Sequence, residues 1–157
     1  MFYFIGYQRA KGAPGELNGS FNGEELGTIS ENTENGIYGK INTDTFKPSA
    51  EPIKVASQFQ VEEGDAYILS DLDGTGSKQY SIEITKISKN NSKGIVFKIT
   101  DENLIAKTGG IIQGMSGAPI IQNNMLVGAV THVMINDPQK GYGTFAENMI
   151  DISDKIH

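Results

Sequence analysis

Ser116 is the residue of this chain whose surroundings best suit covalent chemistry. It lies in the glycine-containing segment Gly114–Gly117, which leads directly into the apolar residues Pro119–Ile121. A serine hydroxyl becomes a good nucleophile when a base takes its proton and backbone N–H groups stabilise the oxyanion that forms. Glycines allow the tight bend that turns such N–H groups inward. The segment indicates an acyl-transfer nucleophile, and the alternative is a glycine-rich hairpin turn with an incidental serine.

The residues after Ser116 predict a strand, a short turn and a second strand. Pro119–Ile121 is followed by Gln122–Asn124, which is typical of a turn, and then by the apolar run Met125–Val133. This order of elements resembles the nucleophile loop and hairpin of chymotrypsin-like peptidases. It differs from the Gly-x-Ser-x-Gly elbow of α/β-hydrolases, because the residue two positions after the serine is Ala118 and no helical pattern follows.

Several further segments narrow this resemblance to one family. These segments are Lys11–Leu17, Asn35–Lys40, Gly114–Pro119, Gly128–Val133 and Asn136–Gly143. In their order along the chain, the motifs are similar to those of the SpoIVB-type serine endopeptidases of spore-forming bacteria, and the similarity extends from Gln8 to Ile150. The resemblance implies an all-β, chymotrypsin-like barrel fold.

The resemblance also implies a role for individual residues. The serine of the family's Gly-Met-Ser-Gly motif is the nucleophile, and it falls on Ser116. The family's acidic residue lies shortly upstream, and the matching position is Asp101, fifteen residues before the serine. The resemblance therefore implies that Asp101 orients the base and that the N–H groups of Gly114 and Ser116 form the oxyanion hole.

The general base that the resemblance implies is missing. In the family it is a histidine in a Gly-His turn upstream of the segment that begins at Lys11, and no histidine stands before Ala10. We therefore expect residues 1–157 to be a single peptidase domain that lacks its N-terminal, base-bearing segment. Without one triad member, serine peptidases keep only about 10³ to 10⁴-fold catalysis over water. The sequence predicts an inactive or very weak peptidase, and the alternative is a non-catalytic remnant that binds peptides.

Only two histidines are present, His132 and His157. The second is the final residue, where chains commonly fray. His132 and its neighbour Thr131 lie on the strand that returns after the nucleophile hairpin, so we expect both to line the substrate cleft. Recruitment of His132 as a replacement base remains an open alternative.

Composition favours one globular domain and excludes several other classes. Of 157 residues, 38% are hydrophobic and 20% are charged, which is typical of a folded domain. No apolar run approaches the ~20 residues that span a bilayer, and Met1–Ile5 lacks the features of a signal peptide. The absence of cysteine excludes disulfides and thiolate sites. A net charge of −6 without a dense basic cluster argues against nucleic acid, and no motif calls for a metal or cofactor.

The resemblance supplies the expectations about partners and location. It implies a protein substrate, a membrane-associated regulator of sporulation, and a PDZ module upstream of the peptidase domain. It further implies export into the space between forespore and mother cell.

Alternating apolar and polar residues predict most of the elements. Strands are expected over 52–61 and 79–87, with shorter β-rich runs over 66–69 and 94–99. Residues 12–35 are interpreted as an irregular loop with one short strand. Helical spacing occurs over 144–156, where Phe145 and Met149 are four residues apart. The pattern predicts an all-β barrel closed by a C-terminal helix.

A competing motif lies at Asp71–Thr75. An apolar strand followed by Asp-x-Asp-Gly-Thr resembles the nucleophile loop of haloacid dehalogenase-type phosphohydrolases, with Asp71 as nucleophile and Asp73 as acid and base. That fold requires a helix after the loop, whereas residues 79–87 alternate with a period of two. Asp73–Gly74 between two strands is a common hairpin signal. The sequence therefore favours a solvated turn without phosphatase chemistry.

Overall fold

The computed structural model describes residues 2–8, 16–21, 27–33, 36–42, 44, 51–89 and 91–153. In this part of the chain there are eleven strands and two helices. The strands are β1 (Phe2–Gln8), β2 (Glu16–Phe21), β3 (Gly27–Thr33), β4 (Gly36–Ile41), β5 (Lys54–Val55), β6 (Gly64–Ser70), β7 (Lys78–Ile87), β8 (Ile95–Ile99), β9 (Pro119–Gln122), β10 (Met125–Met134) and β11 (Asp137–Phe145), and the helices are α1 (Glu102–Thr108) and α2 (Ala146–Ser153).

Six strands form a closed antiparallel barrel. The order around it is β11-β8-β7-β6-β9-β10, and β10 pairs again with β11, which closes the ring. The short strand β5 adds to β10 in parallel, while β1–β2 and β3–β4 are separate two-stranded sheets. The predicted all-β barrel with a short C-terminal helix is confirmed.

The barrel interior is filled by branched and aromatic side chains that alternate with exposed ones. Along β7, Tyr80, Ile82 and Ile84 are buried, and the residues between them are exposed. The middle of β8 contributes Phe97, which is fully buried. This period of two is expected for strands with one face in a core and one in water. The alternation seen in the sequence thus reflects strands that have one face in the core and the other in solvent.

Several element boundaries differ from the sequence-based expectations. Over 52–61 the structure has only β5, two residues long, so the predicted long strand is wrong. The region 12–35 contains β2 and β3 rather than one short strand. Thr144 and Phe145 end β11, so helix α2 begins two residues later than predicted, and residues 154–156 lie outside the described residues.

The barrel's topology brings the candidate residues to one end. Because neighbouring barrel strands are antiparallel, the ends of β6, β8 and β10 meet the starts of β7, β9 and β11. This end therefore carries the Asp71–Thr75 connection, the segment from Asp101 through α1 to Ser116, and the β10–β11 turn. Segments that are far apart in the sequence lie at the same end of the barrel only because the strands pair in this order.

Candidate active site

The loop that presents Ser116 is fixed by backbone hydrogen bonds to β10. Gly117 N–H donates to the Val130 carbonyl over 2.8 Å, and Val130 N–H donates to the Ala118 carbonyl over 2.9 Å. Two glycines in this loop have positive φ, 100° at Gly114 and 89° at Gly117, which side chains with a Cβ rarely adopt. Between them, the buried Met115 anchors the loop in the core while Ser116 is exposed. The sequence thus builds a rigid bend that holds a serine in solvent.

The Ser116 hydroxyl donates a hydrogen bond to the main-chain carbonyl of Thr131, with 2.9 Å between Oγ and O. The Thr131 hydroxyl in turn donates to the Tyr142 carbonyl over 3.0 Å. These bonds connect the nucleophile loop to β10 and then to β11. The serine proton is therefore held by a neutral backbone acceptor, which orients the hydroxyl without raising its nucleophilicity.

A pocket of about 190 Å³ opens beside Ser116. The candidate residues Ser116, Thr131 and His132 all line it, as expected for a substrate cleft. His132 is exposed on the wall formed by β10. Sequence reasoning missed the other lining residues, whose only signal was their position next to the serine loop or on the returning strand. They are Ile111, Ile112, Gln113, Val130 and Val133.

Asp101 caps helix α1. One carboxylate oxygen accepts the Leu104 N–H over 2.8 Å, and the other lies 3.4 Å from the Ser81 amide. An aspartate at this position satisfies an otherwise unpaired N–H of the first helical turn. The topology places Asp101 and Ser116 at the same barrel end, but Asp101 does not line the serine pocket. Its role as the acid of a triad stays a prediction.

The amides of the serine loop divide into bonded and available groups. Besides Gly117, the Ala118 N–H is bonded, donating to the Met115 carbonyl over 2.9 Å. Within the described part of the chain, the Ser116 N–H has no hydrogen-bond acceptor. A free amide at the nucleophile is what an oxyanion hole requires. The oxyanion pair Gly114 and Ser116 stays a prediction.

Thr108 fixes the start of the segment that leads to the serine. Its buried hydroxyl donates to the Leu104 carbonyl over 2.8 Å and lies 2.5 Å from the Gly110 carbonyl oxygen. Gly109 ends α1 in the left-handed conformation, with φ of 80°. The chain therefore turns sharply out of the helix toward the nucleophile loop, and the sequence analysis did not anticipate this short helix.

The Asp71–Thr75 segment connects the antiparallel strands β6 and β7, so the strand–loop–helix arrangement of a phosphohydrolase is not present there. Its carboxylates bond to nearby groups. Asp71 accepts the Gly74 N–H over 2.7 Å, and Asp73 accepts from Lys78 Nζ over 2.8 Å. The hydrogen bond from Lys78 holds the pKa of Asp73 well below its usual range. The described residues contain no group of three or more His, Cys, Asp or Glu side chains placed to hold a metal ion.

Burial raises the pKa of the Tyr80 hydroxyl. Lys78 lowers this pKa, whereas Asp73 and Asp101 raise it further by charge repulsion.

No helix in the described ranges is long and apolar enough to cross a bilayer.

Comparison with known proteins gives a family match over nearly the whole chain. The model of the SpoIVB peptidase S55 family matches residues 6–150. No curated protein matches the sequence significantly. One similar solved structure is the Rv3671c protease in an inactive form, with 19% identity, a TM-score of 0.48, and coverage of 69% of this chain and 56% of that chain.

A second similar structure is an inactive, serine-to-alanine mutant of Rv3671c from M. tuberculosis H37Rv. It shares 18% identity with a TM-score of 0.47, covering 69% of this chain and 54% of that chain. The present chain therefore spans about half the length of the solved structures that it matches.

Proposed function

Because this chain belongs to the SpoIVB peptidase S55 family, we propose that it is a serine endopeptidase that cleaves a protein substrate through an acyl-enzyme on Ser116. The observation that carries the proposal is the exposed Ser116 hydroxyl at a preformed pocket, on a loop whose bend depends on Gly114 and Gly117. A fixed bend of this kind holds a nucleophile in place before substrate arrives, which lowers the entropic part of the barrier.

In the proposed reaction, Ser116 Oγ attacks the scissile carbonyl while a base removes its proton. The negative charge then develops on the carbonyl oxygen, and the N–H groups of Ser116 and Gly114 stabilise it. Asp101 stabilises the positive charge that the base acquires. As the tetrahedral intermediate collapses, the base gives its proton to the leaving amine, and a water molecule deprotonated by the base later attacks the acyl-enzyme and releases the acid from Ser116.

The proposed reaction needs a general base beside Ser116. Of the chain's two histidines, His132 lines the pocket and His157 lies outside the described residues. The Ser116 hydroxyl donates to the Thr131 carbonyl, and among the described residues no imidazole is bonded to it. We infer that the chain by itself is an inactive or very weak peptidase.

The second candidate function is peptide binding without cleavage. The observation that favours it is the same hydrogen bond from Ser116 to the Thr131 carbonyl, since no base among the described residues bonds to the nucleophile. Family membership supports the wider biological proposal for either function. From the resemblance to SpoIVB-type peptidases we further propose a role in sporulation, outside the cytoplasm, with a membrane-associated regulator as the protein recognised.

The test is covalent labelling of the purified chain by a fluorophosphonate probe, with and without added imidazole. A free imidazole can enter the pocket and act as the missing base, so we expect labelling to be slow alone and at least about tenfold faster with imidazole. Mass spectrometry should locate the adduct on Ser116, and Ser116→Ala should remove it. Ser81→Ala, which changes another exposed serine, should label normally.

Two results would change the assignment. Labelling of Ser116 no faster than that of other exposed serines, with or without imidazole, would exclude the enzyme and favour peptide binding. Rapid labelling without imidazole that is lost in His132→Ala, with the fold intact by circular dichroism, would identify His132 as a recruited base.

A further inference from the structure

The pocket beside Ser116 has an apolar inner end and a polar mouth. Three of the residues that line it are almost inaccessible to solvent, with exposed fractions of 3% at Ile111, 2% at Ile112 and 2% at Val130. Gln113 also lines the pocket but is exposed. A buried lining residue lies at the inner end of a pocket, and an exposed one lies at its mouth. A substrate side chain that enters this pocket therefore ends against aliphatic carbon atoms.

Ile111 is held at the inner end from two directions. Its N–H donates to the Pro138 carbonyl over 2.7 Å. Its Cδ1 packs on the backbone of Gly141, where an added Cβ would lie only 2.5 Å away. The same Cβ would lie 3.0 Å from Cζ of Phe97, which is fully buried. Ile111 thus lies between the pocket and the barrel core, so its side chain limits the depth of the pocket.

The inner end offers no partner for a charged side chain. Among the described residues that line the pocket, none is a carboxylate, a lysine or an arginine, and the one side chain that can carry a charge is the exposed His132. An ionised group that is buried without a partner loses its hydration at a large cost. An aliphatic side chain, in contrast, gains free energy when it leaves water. The lining therefore favours apolar side chains over acidic and basic ones.

The volume of the pocket limits the size of the side chain. A closed apolar cavity of about 150 Å³ in a protein core can bind a molecule of the size of benzene. The serine pocket measures about 190 Å³ but is open to solvent, so part of this volume belongs to its mouth. The inner part therefore fits a branched aliphatic side chain better than the longer side chain of phenylalanine.

We propose that this pocket binds an aliphatic side chain of the substrate residue that carries the scissile carbonyl, and that Ile111 sets the size limit. The Cα of that substrate residue is bonded directly to the carbonyl carbon that Ser116 Oγ attacks, so its side chain starts nearest to the pocket. The inference rests on the proposed function, because Ser116 defines which substrate residue lies there. It names the substrate class as proteins cleaved after a branched aliphatic residue.

The test is a binding measurement on the intact chain that requires no catalysis. Acetylated tetrapeptides that differ only in their C-terminal residue, which is Leu, Phe, Lys or Glu, are titrated into protein with isotope-labelled Ile and Val methyl groups. The C-terminal residue represents the acyl part of a cleaved substrate. We expect the Leu peptide to bind roughly tenfold more tightly than the Lys and Glu peptides, and about threefold more tightly than the Phe peptide. The largest methyl shifts in the NMR spectrum should occur at Ile111, Ile112 and Val130.

A substitution at the inner end tests the size limit. Ile111→Ala should deepen the pocket, so that the Phe peptide binds more tightly than the Leu peptide. Ile135→Ala makes the same chemical change at a residue that is 91% exposed and does not line the pocket. It is the matched control and should keep the original order of the peptides.

A substitution at the mouth tests the charge argument and leaves the buried residues unchanged. Gln113→Glu keeps the shape of the side chain and adds a negative charge, so it should strengthen binding of the Lys peptide about threefold and weaken that of the Glu peptide. Gln79→Glu, on an exposed position of β7, should change neither. This pair of variants carries the test if Ile111→Ala does not fold.

Equal binding of the four peptides, tightest binding of the Lys or Glu peptide, or no binding of any peptide would each overturn the inference. An unchanged order of the Leu and Phe peptides in folded Ile111→Ala would show that Ile111 does not set the size limit. Fluorophosphonate labelling depends on the reactivity of Ser116 and not on which side chain fills the pocket. Failure of the aliphatic preference is therefore distinguishable from failure of the proposed peptidase.

Discussion

At the scale of single residues, Asp101 has a structural task that is visible in the structure and a chemical task that is proposed. Its carboxylate accepts the Leu104 N–H and so caps α1, the helix that leads toward the serine loop. Capping requires only a short side chain with an acceptor oxygen, whereas stabilising a protonated base requires negative charge. The two tasks can therefore be separated by substitution.

We expect Asp101→Asn to keep the free energy of unfolding within a few tenths of a kcal/mol, because asparagine caps helices as well as aspartate. Asp101→Ala should lower it by about 1 kcal/mol. If Asp101 is also the acid, both variants should slow imidazole-assisted labelling of Ser116. Urea denaturation and the labelling rate measure the two effects. An unchanged labelling rate in Asp101→Asn would show that Asp101 caps α1 and is not the acid.

At the scale of elements, the β7–β8 hairpin is fixed by a close contact with the end of β11. A Cβ added to Gly94 would lie 2.2 Å from Cε2 of Phe145 and 2.7 Å from the Ser88 carbonyl oxygen. Phe145 is fully buried, so its ring has little freedom to move aside. This glycine allows the hairpin to lie directly against the core.

We predict that Gly94→Ala lowers the free energy of unfolding by about 1–3 kcal/mol through overpacking. In the background of Phe145→Leu, which removes the ring, the same change should cost less, so the two substitutions should couple in a double-mutant cycle. Thermal or urea denaturation of the four proteins gives the coupling. Strict additivity of the two changes would contradict the steric explanation.

At the scale of the whole molecule, closure of the barrel makes stability and site geometry inseparable. Each of the six barrel strands has a pairing partner on both sides, so none of them is an edge strand of this sheet. The Ser116 loop is bonded to β10, and β10 is bonded to β11, which returns to β8. Opening the barrel at any of these pairings would displace the nucleophile.

We therefore expect the amides in the middle of β7, β8 and β10 to exchange with solvent only through global unfolding, at one common free energy. The amides of β5, which within the described ranges pairs only with the start of β10, should exchange earlier because this strand can detach while the barrel stays closed. Native-state hydrogen exchange at increasing denaturant measures both classes. Separate exchange energies for β7 and β10 would show that the barrel opens in parts.

The sequence by itself determined the features that depend on local pattern. Alternation along residues 79–87 predicted β7, and the glycines around Ser116 predicted a tight loop before a hairpin. Prediction from sequence was wrong where the local pattern and the tertiary context conflict. Residues 52–61 alternate like a strand, but only β5 finds a partner, because a strand exists only where a neighbour supplies its hydrogen bonds.

Only the tertiary structure decided which distant residues share the candidate site. Ser116 and His132 line one pocket because β10 returns past the serine loop. Strand register sets these neighbours, and register is fixed by barrel closure and bulges that involve the whole sheet. The sequence gives the chemical type of each side chain. The distances between side chains depend on how all six strands pair to close the barrel.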